Sequence, residues 1–383
     1  MDPTQHAARL RRFQDRLQEA ADLAFIPLSA DLQYLCGVPR DIPNFGAVMH
    51  PGDWLEGAWL SPRREPVLAL SRMSAEFGGL GSLQGVELRV LPDFDDPRAL
   101  VKDLLAGFDL PSAPSVAIGK ATLGASVSEL SALLPGARFV SASALLQPLR
   151  ALKSPEELEQ MRAAGRVTEQ AFGEVLGKLE HGMSELELVS EIDFQLRRAG
   201  ALGPSFTTSL YASGPQHPLL FGDRQTSWRR ALQPPVAVLL DFGAALDGYC
   251  YDYGRTVFFG EPDAAYRELF GAVMEAQGAG IRALRAGESA ASADRAARAL
   301  LEAAGYGAAF RHRLGHGIGL DVHEPPFLSA DDPTRLEAGM LFTVEPSVTR
   351  FDTFSCRVED VVLVGPAGGE PLTSGYRELL VVE

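Results

Sequence analysis

Three of the chain's seven histidines lie close together in the glycine-rich stretch 310–325, FRHRLGHGIGLDVHEP. They are His312, His316 and His323, and glycines between them suit a tight backbone better than a regular helix. Imidazoles on such a segment commonly bind a metal ion or transfer a proton. A polar surface loop is the alternative, and the acidic residues elsewhere in the chain decide between the two.

Asp241 and Asp252 flank Asp247-Gly248, a dipeptide typical of a two-residue β-hairpin loop. In such a hairpin residue 241 pairs with residue 254, so both carboxylates project from one face with Cα atoms ~7–8 Å apart. Two carboxylates placed in this way repel each other unless a cation lies between them. Asp241 also ends the apolar run VAVLLD, where a lone buried charge is costly, although a capping role at the strand end is an alternative.

Glu345 and Glu359 also interrupt apolar strands, in LFTVE and RVEDVVLV, and the neighbouring valines favour burial over a solvated face. With the two aspartates and His316 they amount to four carboxylates and one imidazole. That set suits two divalent ions ~3.5–4 Å apart, and it favours manganese, cobalt or zinc. The prolines at 325 and 326 rule out an HExxH zinc site at His323.

The composition is that of a globular protein with two domains. Of 383 residues, 46% are hydrophobic and 22% are charged, and the net charge of -15 disfavours nucleic acid or an anionic membrane as a partner. No apolar run approaches the ~20 residues that span a bilayer, and the N-terminus lacks the apolar core of a secretory signal. Three widely spaced cysteines imply neither a disulfide framework nor a thiolate zinc site. We therefore expect a cytoplasmic protein.

The first 150 residues alternate between helical and strand-like patterns, which predicts an α/β domain. Helices are predicted at 6–20, 98–105 and 126–134, and strands at 23–28, 32–36, 54–60, 67–70 and 116–118. Gly78, Gly79 and Gly81 lack the lysine and the strand-then-helix context of a nucleotide-binding loop.

A second domain is predicted to start near residue 150. Ser154-Pro155-Glu156-Glu157 forms a capping box for a helix that continues to Gly182, and Ser184 with Glu187 repeats it for a helix to about residue 198. Later elements are strands at 236–242, 249–259, 341–345, 357–364 and 378–382, and helices at 263–284 and 292–304.

The motifs DFG…YD (241–252), GHGIGLDVHEPP, TVEP and RVED resemble, in order and spacing, the pita-bread-fold metallopeptidases. That superfamily includes methionine aminopeptidase, aminopeptidase P, prolidase and the metal-free creatinase. Residues 1–150, through DLAFIPLSADLQYLCGV, resemble the creatinase/prolidase N-terminal domain. Methionine aminopeptidases usually lack that domain and creatinase lacks the metal ligands, so the resemblance favours the proline-specific branch. It implies an α/β two-domain chain, with a creatinase/prolidase-like domain at 1–150 and a pita-bread α+β catalytic domain at 151–383.

The resemblance also implies roles for the five candidate ligands. Asp252 and Glu359 bridge two metal ions, Asp241 completes one metal site, and His316 with Glu345 completes the other.

The catalytic steps that the resemblance implies involve three side chains. A metal-activated water attacks the scissile carbonyl, Glu345 handles its proton, and His312 and His323 orient the substrate and stabilise the oxyanion.

Several positions depart from the family pattern. Phe221 stands where a histidine generally follows the SG…P segment, and His217 lies four residues earlier as a possible substitute. Gly254 replaces the usual threonine, and Ser347 and Ser355-Cys356 replace glycines. None of these is a metal ligand, but the missing histidine bears on mechanism and substrate range. Phe206 and Phe221 are also candidates for an apolar proline pocket.

Arg357 lies two residues before Glu359 and therefore on the same face of the strand. Its fork suits a carboxylate, so we expect it to dock the free C-terminus of a dipeptide. An ion pair that holds a metal ligand is the alternative.

The sequence favours a dinuclear-metal Xaa-Pro dipeptidase acting on short proline-containing peptides. An aminopeptidase P for longer Xaa-Pro peptides is the nearest alternative, and a pita-bread binding module without catalysis is the alternative from another class. The family resemblance implies a homodimer.

Overall fold

The computed structural model describes residues 3–39, 50–78, 80–220 and 224–383. The chain divides into two compact units, Met1–Arg150 and Ala151–Glu383. Within the described ranges no helix is both long enough and apolar enough to cross a bilayer. The three cysteines are buried and free.

The first unit is built on one six-stranded mixed sheet with strand order β4-β3-β2-β1-β5-β6. Its strands are β1 (Leu23–Pro27), β2 (Gly57–Ser61), β3 (Arg64–Ser71), β4 (Glu87–Leu91), β5 (Ser115–Ile118) and β6 (Arg138–Ser141). Its helices are α1 (Pro3–Ala20), α2 (Ala30–Cys36), α3 (Arg72–Phe77), α4 (Pro97–Ala106), α5 (Gly124–Leu133) and α6 (Ser143–Ala151). The sheet buries an apolar core that includes Phe25 and Trp59, whose rings lie 4.7 Å apart.

Two predictions in this unit are corrected. Residues 32–36 form part of helix α2, not a strand, because Ser29 Oγ accepts the amide of Leu32 and Gly37 ends the helix in the left-handed conformation. All seven residues of that helix are buried, including Asp31 and Gln33, so the segment has no exposed polar face that would reveal a helical period. The strand predicted at 54–60 begins only at Gly57, after a single 3-10 turn at Asp53–Leu55.

The second unit contains two pairs of contacting helices and several small sheets. Its helices are α7 (Pro155–Leu176), α8 (Glu185–Arg198), α9 (Arg224–Arg229), α10 (Ala264–Ala283) and α11 (Ala290–Ala303). Its strands are β7 (Gly203–Pro204), β8 (Ser209–Ser213), β9 (Val236–Phe242), β10 (Ala244–Leu246), β11 (Tyr249–Cys250), β12 (Tyr253–Phe259), β13 (Gly315–Gly317), β14 (Glu324–Leu328), β15 (Leu341–Val344), β16 (Ser347–Val348), β17 (Cys356–Arg357), β18 (Asp360–Leu363), β19 (Glu370–Pro371) and β20 (Leu380–Val382).

Both predicted capping boxes are present at the starts of α7 and α8. Helix α7 ends at Leu176, however, with Gly177 as its C-cap, and not at Gly182. Gly182 has a φ of 89° and lies in the turn that leads to the second capping box. The apolar pattern that runs past residue 176 therefore belongs to the connection, not to the helix.

The predicted hairpin is present, with Asp247 and Gly248 both at positive φ between β10 and β11. Its returning strand is interrupted at residues 251 and 252, and the strand predicted at 357–364 is interrupted in the same way at 358 and 359. Strands β20-β12-β9-β8 form one sheet and β14-β13-β15-β18-β19 another. An isolated bridge between Gly254 and Glu359 joins the two interrupted strands. Candidate metal ligands thus lie at breaks in the strands.

Candidate metal centre

Asp241 and Asp252 occupy the positions that the hairpin register predicts, since Asp241 pairs with Gly254 across β9 and β12. The Asp252 side chain is almost fully buried, and its Oδ1 has no hydrogen-bond partner among the described residues. Burial, and then repulsion from Asp241 and Glu345, raise the pKa of Asp252 well above its usual range. A buried carboxylate oxygen without a donor is costly unless a cation compensates it.

Glu359 shows the same electrostatic anomaly. It is 1% exposed, its Oε2 has no hydrogen-bond partner among the described residues, and burial followed by repulsion from Asp252 raises its pKa well above the usual range. Its backbone amide donates to the carbonyl of Gly254 at 2.9 Å. The bridge therefore holds Glu359 next to the strand that follows Asp252.

His316 lies on β13, where its amide donates to Thr343 Oγ1 at 3.0 Å. Its Nδ1 is 3.0 Å from the carbonyl of Gly317, a contact in which Nδ1 donates and Nε2 keeps its lone pair. Nε2 is 3.6 Å from Asp252 Oδ2 and 3.4 Å from Glu345 Oε1. Burial lowers the pKa of His316 to about 4, so the imidazole is neutral at pH 7 and able to bind a metal.

The structure brings Asp252, His316 and Glu359 into one buried group, with a ligand atom from each lying within 4.8 Å of the others. Glu345 adjoins it through His316, and Asp241 adjoins it through Arg357. The donor set consists of carboxylate oxygens and one neutral imidazole, and two of the buried oxygens have no hydrogen-bond partner among the described residues. These residues fit a divalent cation site.

Arg357 is the cation that these carboxylates surround. Its Nη1 donates to Asp241 Oδ2 at 2.7 Å, its Nε donates to Ser347 Oγ at 2.7 Å, and its Nη2 is 3.6 Å from Glu345 Oε2. Arg357 therefore points at the candidate ligands, as predicted, and the contact with Asp241 is the ion pair named as the alternative role. A docking role for its guanidinium remains a prediction.

His312 lies next to Arg357, and His323 lies next to His316. The His312 Nε2 is 3.5 Å from Arg357 Nη2, and burial lowers the pKa of its imidazole. His323 is exposed, and its ring centroid lies 4.1 Å from that of His316. Both imidazoles border the group, with one of them open to solvent.

Two other candidates have no described contact with the group, and a third lies outside the described residues. Phe206 is half-buried between β7 and β8, and Phe221 lies outside the described residues. His217 follows the end of β8 remote from Asp241, because Ser209 pairs with Asp241 whereas Ser213 pairs with Ala237, ~13 Å along the strand. The His217 Nε2 is 3.1 Å from the carbonyl of Ala231, and the structure gives it no described contact with the four acids.

Sequence analysis missed a pair of charged residues behind the group. Arg255 is 1% exposed and donates to the carbonyls of Gly254 and Glu359, at 2.8 and 2.6 Å, and to Asp360 Oδ1 at 2.7 Å. Asp360 is itself fully buried. The sequence does contain a signal for this pair. Arg255 and Asp360 are charged residues inside otherwise apolar strands, which is the same feature that marked Asp241 as a candidate.

A second missed pair supports His312. Arg298 on α11 donates to the carbonyls of Phe310 and His312, at 3.2 and 3.0 Å, and it is held by the fully buried Asp294 four residues earlier. Asp294 Oδ1 also accepts the amide of Leu314 at 2.9 Å. The helix thereby fixes the backbone of the histidine segment.

Comparison with known proteins adds an independent observation. Residues 159–366 match the profile of metallopeptidase family M24. The chain is 30% identical to the YkvY protein of Bacillus subtilis, over 98% of this chain and 99% of that protein. It is 35% identical to an Xaa-Pro dipeptidase of Lactobacillus helveticus, over 65% of this chain and 67% of that enzyme.

Solved structures of dipeptidases have the same fold as this chain. A dipeptidase from Pyrococcus horikoshii matches with a TM-score of 0.85 and 29% identity, over 98% of this chain and 100% of that one. An Xaa-Pro dipeptidase from Bacillus anthracis matches with a TM-score of 0.83 and 26% identity, over the same shares. The predicted two-domain α/β fold and the resemblance to the proline-specific pita-bread metallopeptidases are confirmed.

Proposed function

The chain belongs to metallopeptidase family M24 and is a metal-dependent peptidase, and we propose that it hydrolyses Xaa-Pro dipeptides with two divalent ions. The observation that carries the proposal is the buried group of Asp252, His316 and Glu359, with Glu345 3.4 Å from the imidazole. Relatives named as Xaa-Pro dipeptidases supply the substrate class.

Five side chains would hold the ions: Asp241, Asp252, His316, Glu345 and Glu359. Their four carboxylate charges balance two dications, and the oxygen-rich set with one imidazole favours manganese, cobalt or zinc. Such ions, when bound, lower the pKa of a water molecule towards neutrality and polarise the scissile carbonyl.

The remaining chemistry belongs to side chains around the group. Glu345, which accepts a hydrogen bond from Thr343 Oγ1 at 3.2 Å, would take the proton of the attacking water and pass it to the leaving nitrogen. Burial keeps His312 neutral, Arg298 holds its carbonyl, and its Nδ1 donates to the carbonyl of Arg313 at 2.6 Å. Its Nε2 therefore keeps a lone pair and can accept a hydrogen bond from the substrate, and it would donate to the oxyanion only once the imidazole is protonated. His323 is exposed beside His316, where it can contact an entering peptide.

The proposal assigns catalysis to residues 151–383 and treats residues 1–150 as a creatinase/prolidase-like domain. The physiological partner would be a short proline-containing peptide. Cytoplasmic location and a homodimer belong to the same proposal, and the negative net charge of the chain supports neither nucleic acid nor an anionic membrane as a partner.

Aminopeptidase P activity on longer Xaa-Pro peptides is the second candidate. An X-Pro aminopeptidase from Thermotoga maritima matches with a TM-score of 0.80 and 25% identity, over 96% of this chain and 99% of that one. A binding module without catalysis is disfavoured, because it would have no use for buried carboxylate oxygens that find no partner in the described parts of the chain.

Hydrolysis assays after chelation separate these functions. Ala-Pro, Ala-Pro-Ala and Met-Ala-Ser are compared with and without added manganese. Metal-dependent cleavage confined to Ala-Pro is expected. Preference for Ala-Pro-Ala would establish the aminopeptidase instead, and binding of no divalent ion would support the module.

A further inference from the structure

The pairing between β15 and β18 stops one residue short of two candidate ligands. In the antiparallel register of these strands, Glu345 and Glu359 would form the next pair of the ladder. Instead, the amide of Glu345 donates to the carbonyl of Leu314 at 2.9 Å. The amide of Glu359 donates to the carbonyl of Gly254, also at 2.9 Å. The two strands therefore separate at the point where each contributes a carboxylate to the candidate metal centre.

One side chain bridges the two strands where they separate. Gln277, on α10, is fully buried, and its Nε2 donates to the carbonyl of Val344 at 3.3 Å and to that of Val358 at 3.2 Å. These valines come immediately before Glu345 and Glu359 in the chain. The amide of a single glutamine therefore holds the backbone of both ligand-bearing segments.

The bridging glutamine is itself oriented by charged groups. Its Nε2 is 3.0 Å from Asp360 Oδ2, and its Oε1 accepts from Arg377 Nη2 at 2.8 Å. A carboxamide has two donor hydrogens and an acceptor oxygen, so Gln277 can bond to both carbonyls and to the arginine without adding a charge. Helix α10 lies close to β15 here, since a Cβ on Gly280 would come within 3.2 Å of Val344 Cγ1. Without the donors of the glutamine, two buried carbonyls would each lose a partner.

We propose that Gln277 is a positioning residue of the metal centre, which fixes the separation of Glu345 and Glu359 through their backbones. The inference rests on the function proposed above and adds to it a residue outside the ligand set. Two ions ~3.5–4 Å apart tolerate little change in the spacing of their ligands. Because no ladder bond joins the two glutamates, their spacing depends on what bridges the strand ends that carry them.

Calorimetric titration of the chelated chain with manganese tests the inference, at a temperature where each variant is folded. Gln277→Met keeps the length of the side chain and removes its donors. Gln277→Asn keeps the amide but is one methylene shorter, so it cannot reach both carbonyls. Gln195→Met is the matched control, since Gln195 is a buried glutamine on α8 whose amide donates to Glu191 of the same helix.

Gln277→Met is expected to weaken manganese binding about 10- to 100-fold, as the loss of a group that orients ligands does in other metal sites. Gln195→Met should stay within about twofold of the wild type. A general loss of stability does not change the affinity of protein that remains folded, so it cannot produce this difference. An unchanged affinity in Gln277→Met, or an equal loss in Gln195→Met, would overturn the proposal. Gln277→Asn, the milder change, is judged by the same criterion if Gln277→Met does not fold.

Electron paramagnetic resonance of the manganese-loaded protein tests the spacing itself. In the wild type, two manganese ions that share carboxylates should give an exchange-coupled spectrum, and the coupling should weaken or disappear in Gln277→Met at saturating manganese. The same coupled spectrum in both proteins would refute the role of Gln277 while leaving the proposed peptidase untouched. A wild type that binds one ion or none would instead refute the dinuclear function, and the inference with it.

Discussion

A Cβ atom on residue 254 would come within 2.8 Å of Oε2 and 2.9 Å of Cβ of Glu359. Glu359 therefore crosses β12 at a position where a side chain would displace it. The position has no left-handed backbone, so close approach alone demands glycine there. This explains a departure noted in the sequence, where the family pattern has threonine.

Gly254→Ala should weaken manganese binding and lower kcat/KM by about 10- to 100-fold, because a carboxylate displaced by about 1 Å no longer matches the other ligands. Calorimetric titration of the metal-free protein measures the first effect directly. Gly271→Ala on α10 is the control, since a Cβ there meets nothing within 4 Å, and it should leave metal affinity unchanged. An unchanged manganese affinity in Gly254→Ala would show that metal binding does not depend on the present position of the Glu359 carboxylate.

Asp360→Asn should destabilise the protein by about 3–5 kcal/mol, since it removes the charge that compensates the buried Arg255. Asp360 also accepts from Arg377 at 2.7 Å and from Gln277 at 3.0 Å. Urea unfolding of the metal-free chain gives the free energy of unfolding. Glu261→Gln, which breaks the exposed pair with Arg267, should change it little. A loss under about 1 kcal/mol in Asp360→Asn would mean that Arg255 finds another partner.

The stabilisation of the folded protein by bound divalent ions should increase with pH. In the metal-free protein the pKa values of Asp252 and Glu359 are raised, so the folded state binds more protons than the unfolded state. These two groups therefore make stability fall as pH rises from their ordinary range through the raised values. Divalent ions favour the ionised carboxylates and remove that loss, so their affinity rises as protons leave.

Melting temperatures of the chelated and manganese-loaded protein at pH 5, 6 and 7.5 test this dependence. The difference between the two forms should widen towards pH 7.5, and it should widen less in Glu359→Gln. A difference that stays constant across this range would contradict the assignment of the raised pKa values to the metal carboxylates.

Arg298→Met should lower kcat about tenfold while leaving manganese affinity unchanged. The guanidinium fixes the carbonyl of His312 but contacts none of the candidate metal ligands in the described structure. Steady-state kinetics and metal titration are both needed, because a general loss of folding would affect the two together. Arg295→Met, one turn earlier on α11, removes a single bond to the carbonyl of Ala330 and serves as the control. If kcat falls equally in both variants, the prediction that Arg298 positions His312 for catalysis is wrong.

Local rules were enough for much of the chain. Ser154 and Ser184 with their glutamates determine helix starts through short-range hydrogen bonds, and both capping boxes are present. The two-residue turn at Asp247-Gly248 determines the register that sets Asp241 opposite Gly254, because residue pairing follows from loop length alone. Charges inside apolar strands and the clustering of histidines made the acids and imidazoles candidates, and the family motifs then implied a role for each.

Tertiary structure decided what depends on distant residues. Buried throughout, α2 has no polar face to mark it as a helix, so only its packing and its caps show what it is. Arg357 pairs with Asp241 across 116 positions in the chain, and the bridge between Gly254 and Glu359 joins two sheets. Likewise, His316 and Phe327 are brought together only by the β13–β14 register. Spacing fixes which residues share a strand or a turn, whereas the distance between separate strands depends on how the whole core packs.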